Sequence, residues 1–301
     1  MPPWDDRERA TLVALLHERP DVASWSGIAA EIIDMGSAQS VWDAYHERSL
    51  FDTHGHAAIV AAARRIASWR NTGLGVHTFR DASYPAQLRE IYQVPPILFS
   101  RGTLRPGEPA VSVVGSRRAS HHSVDWASEV SAALVAAGLT VVSGLAAGVD
   151  TAAHIAALDG GGRTVAVLGT GIDRVYPTAN RGLQQRIARD GLVLSQFWPD
   201  APATKKSFPL RNATMSGYGR ATIVVEVGET SGARIQARVG VEHGRPVILR
   251  SCVVEANDWA RALQCRPGVH VVSGVDEVLD VVAALRPDLD EVLSDVLAVD
   301  G

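Results

Sequence analysis

Four glycine-bearing segments in this chain each follow an apolar run and precede a helical one: Gly115-Ser-Arg117, Gly144-Leu-Ala-Ala-Gly148, Gly169-Thr-Gly171 and Gly228-Glu-Thr-Ser-Gly232. Glycine lets the backbone turn sharply there and leaves the first N–H groups of the next helix without internal partners. Such a turn offers donors and the positive end of a helix dipole to an anion. A single strand-to-helix connection takes glycine for conformational reasons alone. Four on successive parallel strands would open at one sheet edge, where ligands of such folds bind, and they define a candidate polyanion cleft. Its expected phosphate contacts are Gly115, Ser116, Arg117 and Arg118 in the first turn, and Ser143, Gly144 and Gly148 in the second. Gly169 and Gly171 belong to the third, and Ser231 and Gly232 to the fourth.

The cations fit that reading. Arg117 and Arg118 stand just after a strand, where a guanidinium adds charge-assisted bonds to an anion already held by N–H groups. Of 29 basic residues only two are lysines, Lys205 and Lys206, adjacent on a segment that leaves the same sheet edge. A solvated pair is the ordinary reading of two such lysines. Arg211 and Asn212 are expected to open the following helix and to point a basic fork at the cleft.

Catalytic parts are sparse. Asp150 and His154 lie four apart and are read as a hydrogen-bonded structural pair near a helix start. His121 and His122 are adjacent, without a third ligand at metal spacing. No lysine closes a glycine loop in the manner of nucleotide hydrolases, and the second strand ends in Ser143-Gly144 where a dinucleotide site needs an acid. Cys252 and Cys265 match neither a zinc ribbon nor a redox pair and are read as reduced thiols. The expectation is a binding protein with no catalytic residue, no metal and no cofactor.

The elements that must position these residues are legible from periodicity. The chain has 301 residues, 46% hydrophobic and 21% charged, with a formal charge of −4, as in ordinary globular proteins. Apolar positions at Leu12, Leu15 and Leu16, at Ile28, Ile32 and Ile33, at Val41, Trp42 and Tyr45, and at Ile59, Ala63 and Ile66 predict a small all-helical domain over 1–73. Residues 74–109 form a joint. From 110 to 286 strands alternate with helices: Val111 to Val114, Thr140 to Ser143, Thr164 to Leu168, Leu192 to Ser195, Thr222 to Val227 and Pro246 to Leu249 are strand candidates. The helix before the fifth of these is expected from about Ala213 to Tyr218. The fold class is therefore α/β, an extended Rossmann-like, mostly parallel sheet with helices on both faces. A short acidic tail, 287–301, follows. With no leader-like or membrane-spanning run, the protein is expected in the cytoplasm.

As a set, these residues resemble the bacterial DNA-processing protein A (DprA, or Smf) family. The resemblance rests on Val113-Val-Gly-Ser-Arg117, Val142-Ser-Gly-Leu-Ala146 with Gly148-Val-Asp150 and Ala153-His154, and Ala166-Val-Leu-Gly169 with Gly171-Ile-Asp173 and Tyr176-Pro177. Phe208-Pro-Leu-Arg-Asn212, Val224-Val-Glu226, Ser231-Gly232 and Gly244-Arg245 complete it, in family order and spacing from about Gly73 to Leu249. It implies single-stranded DNA binding in a basic pocket, a homodimer, and help in loading the recombinase RecA during natural transformation. The implied DNA contacts are Arg117, the Gly144 to Gly148 turn, Lys205 with Lys206, and Arg211 with Asn212. A pocket of cations and N–H groups with few aromatic rings would hold phosphates without reading bases. The sequence departs from the family's pattern at Ala213, Gln196 and Gln236, and Leu249-Arg-Ser-Cys252 replaces a proline-glycine turn. The winged-helix domain that many members carry is not expected in these residues. The competing readings are a sensor or binder of a small nucleotide in the same pocket, and a phosphoribohydrolase, whose glycine-rich turn and closing glutamate are missing from Gly228 to Gln236.

Overall fold

The computed structural model describes residues 4–19, 21, 24–46, 53–228 and 231–285. Glu229 and Thr230 of the fourth glycine turn, and the acidic tail 287–301, lie outside the described residues.

Helices α1 (Asp6–Glu18), α2 (Trp25–Met35), α3 (Ala38–His46) and α4 (Thr53–Asn71) come first. Asp5 caps α1 by accepting the Glu8 N–H at 2.9 Å, and Gly36 ends α2 in the left-handed region at φ 84°. A joint with β1 (Gly75–Thr78) and β2 (Ile97–Gly102) leads to the alternating part. This part runs β3 (Ala110–Val114), α5 (His121–Ala136), β4 (Thr140–Ser143), α6 (Val149–Asp159), β5 (Thr164–Val167), α7 (Arg181–Asp190) and β6 (Leu192–Ser195). It continues through α8 (Ser207–Tyr218), β7 (Ala221–Val224), α9 (Gly232–Glu242) and β8 (Val247–Arg250). It closes with α10 (Ser251–Ala256), α11 (Asp258–Leu263), β9 (Val269–Val272) and α12 (Val275–Ala283).

Among the described residues nine strands form one sheet in the order β1-β2-β6-β5-β4-β3-β7-β8-β9. Pairings from β6 across to β9 are parallel, and β2 and β1 extend the β6 side antiparallel. The chain starts at central β3, winds out to β6, then crosses back to place β7 on the other flank of β3. The winding direction therefore reverses between β3 and β7. Loops on either side of that switch point diverge and leave a crevice at the carboxyl ends of the strands.

Strand side chains alternate between two cores, as the pleat requires. Val111 and Val113 face Trp126, Val130 and Leu134 of α5 and Ala153 and Ala157 of α6. Ala110 and Val114 face the side that holds Met215 and Tyr218 of α8, Ala237 of α9 and, further out, Leu12, Ile28 and Val41 of the N-terminal helices. Trp198, just beyond β6, joins those helices to the sheet: it stacks on His17 at 4.2 Å and meets Trp25 edge-on at 4.8 Å.

Most expected bounds agree within a residue, and two differ by more. Helix α8 begins at Ser207 and not near Ala213, because Pro209 sits in the first turn, where its missing N–H would have no intrahelical acceptor. Arg211 and Asn212 consequently lie in the second turn instead of opening the helix. Strand β7 ends at Val224, three residues before the end of the apolar run at Val227.

Burial holds several imidazoles neutral. It takes His17 and His243 from 6.5 down to about 4, helped by Arg65 and Arg245 respectively. His154 is held near 3 by burial and by the charge of Arg211. The unfolded chain takes up these protons as pH falls below 6.5, whereas the folded chain does not until about 4. Stability measured by denaturant unfolding should therefore fall on acidification through that window and be flat between pH 7 and 8.

Candidate functional site

The crevice at the switch point is a cleft of about 450 Å³. Gly115, Ser116, Arg117 and Arg118 line it from the β3–α5 turn, and Ala146 and Asp150 from the start of α6. Phe208, Arg211 and Asn212 line it from α8; Gly228, Ser231, Gly232 and Gln236 line it from the β7–α9 side. Residues remote in sequence meet here because β3 neighbours both β4 and β7.

Arg211 is the organising side chain. Its Nη1 donates to the Gly144 carbonyl at 2.6 Å and the Val167 carbonyl at 2.9 Å, and its Nε donates to Asn212 Oδ1 at 3.0 Å. The guanidinium thus joins the carboxyl ends of β4 and β5 while lying only 6% exposed. Burial lowers its pKa, and the charge of Asp150 opposes that. Gly144 is glycine for this reason: a Cβ there would stand 1.8 Å from Arg211 Nη1.

Asp150 organises the same turn from the other side. Its Oδ2 accepts from the Gly144 and Ala146 N–H groups, each at 3.2 Å. These bonds span Leu145, which holds a left-handed φ of 57°, and Asn180 Nδ2 binds the Leu145 carbonyl at 2.9 Å. A branched residue in that region is strained and persists only where its surroundings fix it. Burial raises the Asp150 pKa, while Arg211 and the two N–H groups work against it. His154 does not pair with Asp150 as the spacing suggested; its Nδ1 meets Thr164 Oγ1 at 2.6 Å, and the two residues are separate structural supports.

Aromatic rings are more prominent than the sequence reading allowed. The Arg117 guanidinium lies 5.0 Å from the centroid of the Phe208 ring, and that of Arg211 lies 6.0 Å from it. Tyr176, exposed on its outer side, is 5.7 Å from the same ring. The two like charges tolerate proximity because one faces Asp150 and both sit by an aromatic ring. Ser231 caps α9 through its Oγ, which accepts the Ala233 N–H at 3.3 Å, and Asn212 Nδ2 holds the Gly232 carbonyl at 3.1 Å.

Of the residues named from sequence, Gly115, Ser116, Arg117, Arg118, Arg211, Asn212, Ser231 and Gly232 come together in this cleft. The others lie beside or beneath it. Ser143 is buried and donates its hydroxyl to the Val113 carbonyl at 2.7 Å. Gly148, at φ 77°, makes room for the Ser116 carbonyl; Gly169 makes room for the Phe208 ring, and Gly171 for the Trp198 and Pro199 carbonyls. These are packing glycines, so the four turns do not all open into one space. Lys205 and Lys206 are exposed at the amino end of α8, outside the cleft lining. Phe208, Tyr176 and Asp150 were not expected at the site, although all three stand in the quoted motifs. Among the described residues no three His, Cys, Asp or Glu side chains group as metal ligands do, and no helix is long and apolar enough to cross a membrane.

A doubly wound sheet with guanidinium groups and a helix amino end at its switch point defines a Rossmann-like protein. Residues 75–284 match the DNA recombination-mediator protein A family, and the chain belongs to it. DNA processing protein DprA of Streptococcus pneumoniae is 45% identical over 168 residues, 56% of this chain and 59% of that protein. Protein Smf of Synechocystis is 43% identical over 172 residues, 56% of this chain and 43% of that protein. The chain thus spans about half the length of these relatives. The solved structure of the Streptococcus pneumoniae DprA superposes with a TM-score of 0.70 at 30% identity, covering 92% of this chain and 97% of that one. A structure of Helicobacter pylori DprA, solved to address its single-stranded DNA binding mode, matches with a TM-score of 0.61 at 23% identity, covering 69% and 96%.

Replacing Gly144 by alanine should cost about 1–3 kcal/mol in urea unfolding, because Arg211 must give up carbonyl bonds to admit the methyl group. Gly232→Ala, which meets nothing within 4 Å, should leave stability nearly unchanged.

Proposed function

We propose that this protein binds single-stranded DNA in DNA processing and recombination, and that the switch-point cleft holds the strand by its phosphates without sequence preference. The observation that carries this reading is the grouping of Arg117 and Arg211 around Phe208 beside the amino end of α9. Guanidinium groups and helix N–H groups suit phosphate oxygens, and a ring next to them suits any base face. Family membership and the single-stranded DNA binding of the Helicobacter pylori protein support the same reading. Arg117 and Arg118 make the outer phosphate contacts, and Lys205 and Lys206 guide the strand beyond the cleft. Arg211 has its Nε and Nη1 fixed by protein acceptors and acts chiefly as a preorganised positive wall. The reading includes no catalytic step. It includes a homodimer, checked by sedimentation, and RecA as a partner, checked by co-elution of the purified proteins.

Fluorescence anisotropy with labelled oligo-dT tests it. Arg117→Ala should weaken binding about 10- to 100-fold and flatten the plot of log affinity against log salt by roughly 0.7, the share of one phosphate on a single strand. Lys205→Ala/Lys206→Ala should flatten the slope with a smaller loss at high salt. Phe208→Ala should cost about 1–3 kcal/mol with the slope unchanged, as a lost stacking contact does. Unaltered affinity in Arg117→Ala and in the double lysine variant would remove the cleft from consideration. Displacement by a mononucleotide at low concentration would instead favour a small-nucleotide sensor.

A further inference from the structure

At the opposite edge of the sheet, the connections entering β3, β7 and β8 enclose a second groove of about 390 Å³. Ala86, Gly107, Pro246 and Leu285 give it apolar surface, and its charged groups are Glu90, Glu108, Arg220 and Arg245. Three of these four are already engaged. Arg245 pairs with Glu90 at 2.5 Å, and the Glu108 carboxylate accepts from Arg163 at 2.6 Å and from Thr140 at 3.0 Å. Arg220 is exposed, and no carboxylate among the described residues forms an ion pair with it. Gln87 Oε1 and Arg245 Nε in the groove wall also lack hydrogen-bond partners.

Leu285, on the lip of this groove, is also the last described residue, so residues 287–301 are tethered to that lip by Arg286 alone. The segment that follows carries Asp288, Asp290, Glu291, Asp295 and Asp300 against the single cation Arg286. Its apolar residues, Leu289, Val292, Leu293, Val296 and Leu297, recur at the three- and four-residue spacing of one helical face. An acidic segment with an apolar stripe complements a groove with apolar surface and an unpaired arginine. A tether of a few residues supplies an effective concentration on the order of millimolar, so even weak contacts would be populated. We infer that the groove is a docking site for an acidic amphipathic segment and that residues 287–301 of the same chain occupy it. Their apolar stripe meets Ala86, Pro246 and Leu285, and their carboxylates meet Arg220.

A photocrosslinker placed at exposed Ala86 in the full chain tests this, with mass spectrometry mapping the products. Crosslinks are expected within 287–301 of the same chain, at a yield independent of protein concentration. The yield should fall several-fold in Arg220→Glu and, by a route that leaves the folded sheet untouched, in Leu289→Asp/Leu293→Asp. Crosslinks confined to other segments, crosslinks to a second copy, or a yield unchanged in both variants would overturn the inference. Groove and cleft lie at opposite sheet edges, so oligonucleotide affinity is expected to be unchanged in both variants. Tail docking and the reading of the cleft therefore fail separately.

Discussion

One buried guanidinium organises the functional edge of this molecule. Arg211 reaches from α8 to bind the Gly144 carbonyl just past β4 and the Val167 carbonyl at the end of β5. A buried cation is costly unless it is compensated, and Asp150 supplies the opposite charge from the turn that Arg211 packs against. That carboxylate in turn accepts the N–H groups flanking strained Leu145. The glycine at 144, the left-handed residue at 145 and the acid at 150 therefore belong to one arrangement. Arg117 stands in front of it, and the cleft's shape follows from the pair behind.

Much of the fold was legible because β3 to β8 are buried on both faces and read as short Val/Ile/Leu-rich runs between helical patterns. The start of α8 was not, since Pro209 within a helical turn looks like a breaker until its position in the first turn is known. The site was legible in its motifs more than in its roles. Nothing near Arg211 in sequence reveals that its acceptors lie 67 and 44 residues earlier, because that depends on which strands become neighbours. Gly148, Gly169 and Gly171 were read as ligand-facing for a related reason. A glycine that approaches a phosphate and one that approaches a ring or a carbonyl look alike in a sequence.

The N-terminal helices are joined to the sheet through Trp198, which follows β6 and packs among His17, Trp25 and Trp69. Its position ties the loop between β6 and α8 to a broad aromatic cluster. That loop carries Lys205 and Lys206 and leads into α8, which holds Phe208 and Arg211.

The imidazole lying behind Arg211, that of His154, is held neutral down to about 3 by burial and by the guanidinium charge. Mild acidification therefore adds no charge from His154 to the wall behind the cleft. Under the proposed function, the cleft's guanidinium groups make its hold on a strand a matter of ionic strength and of rival anions.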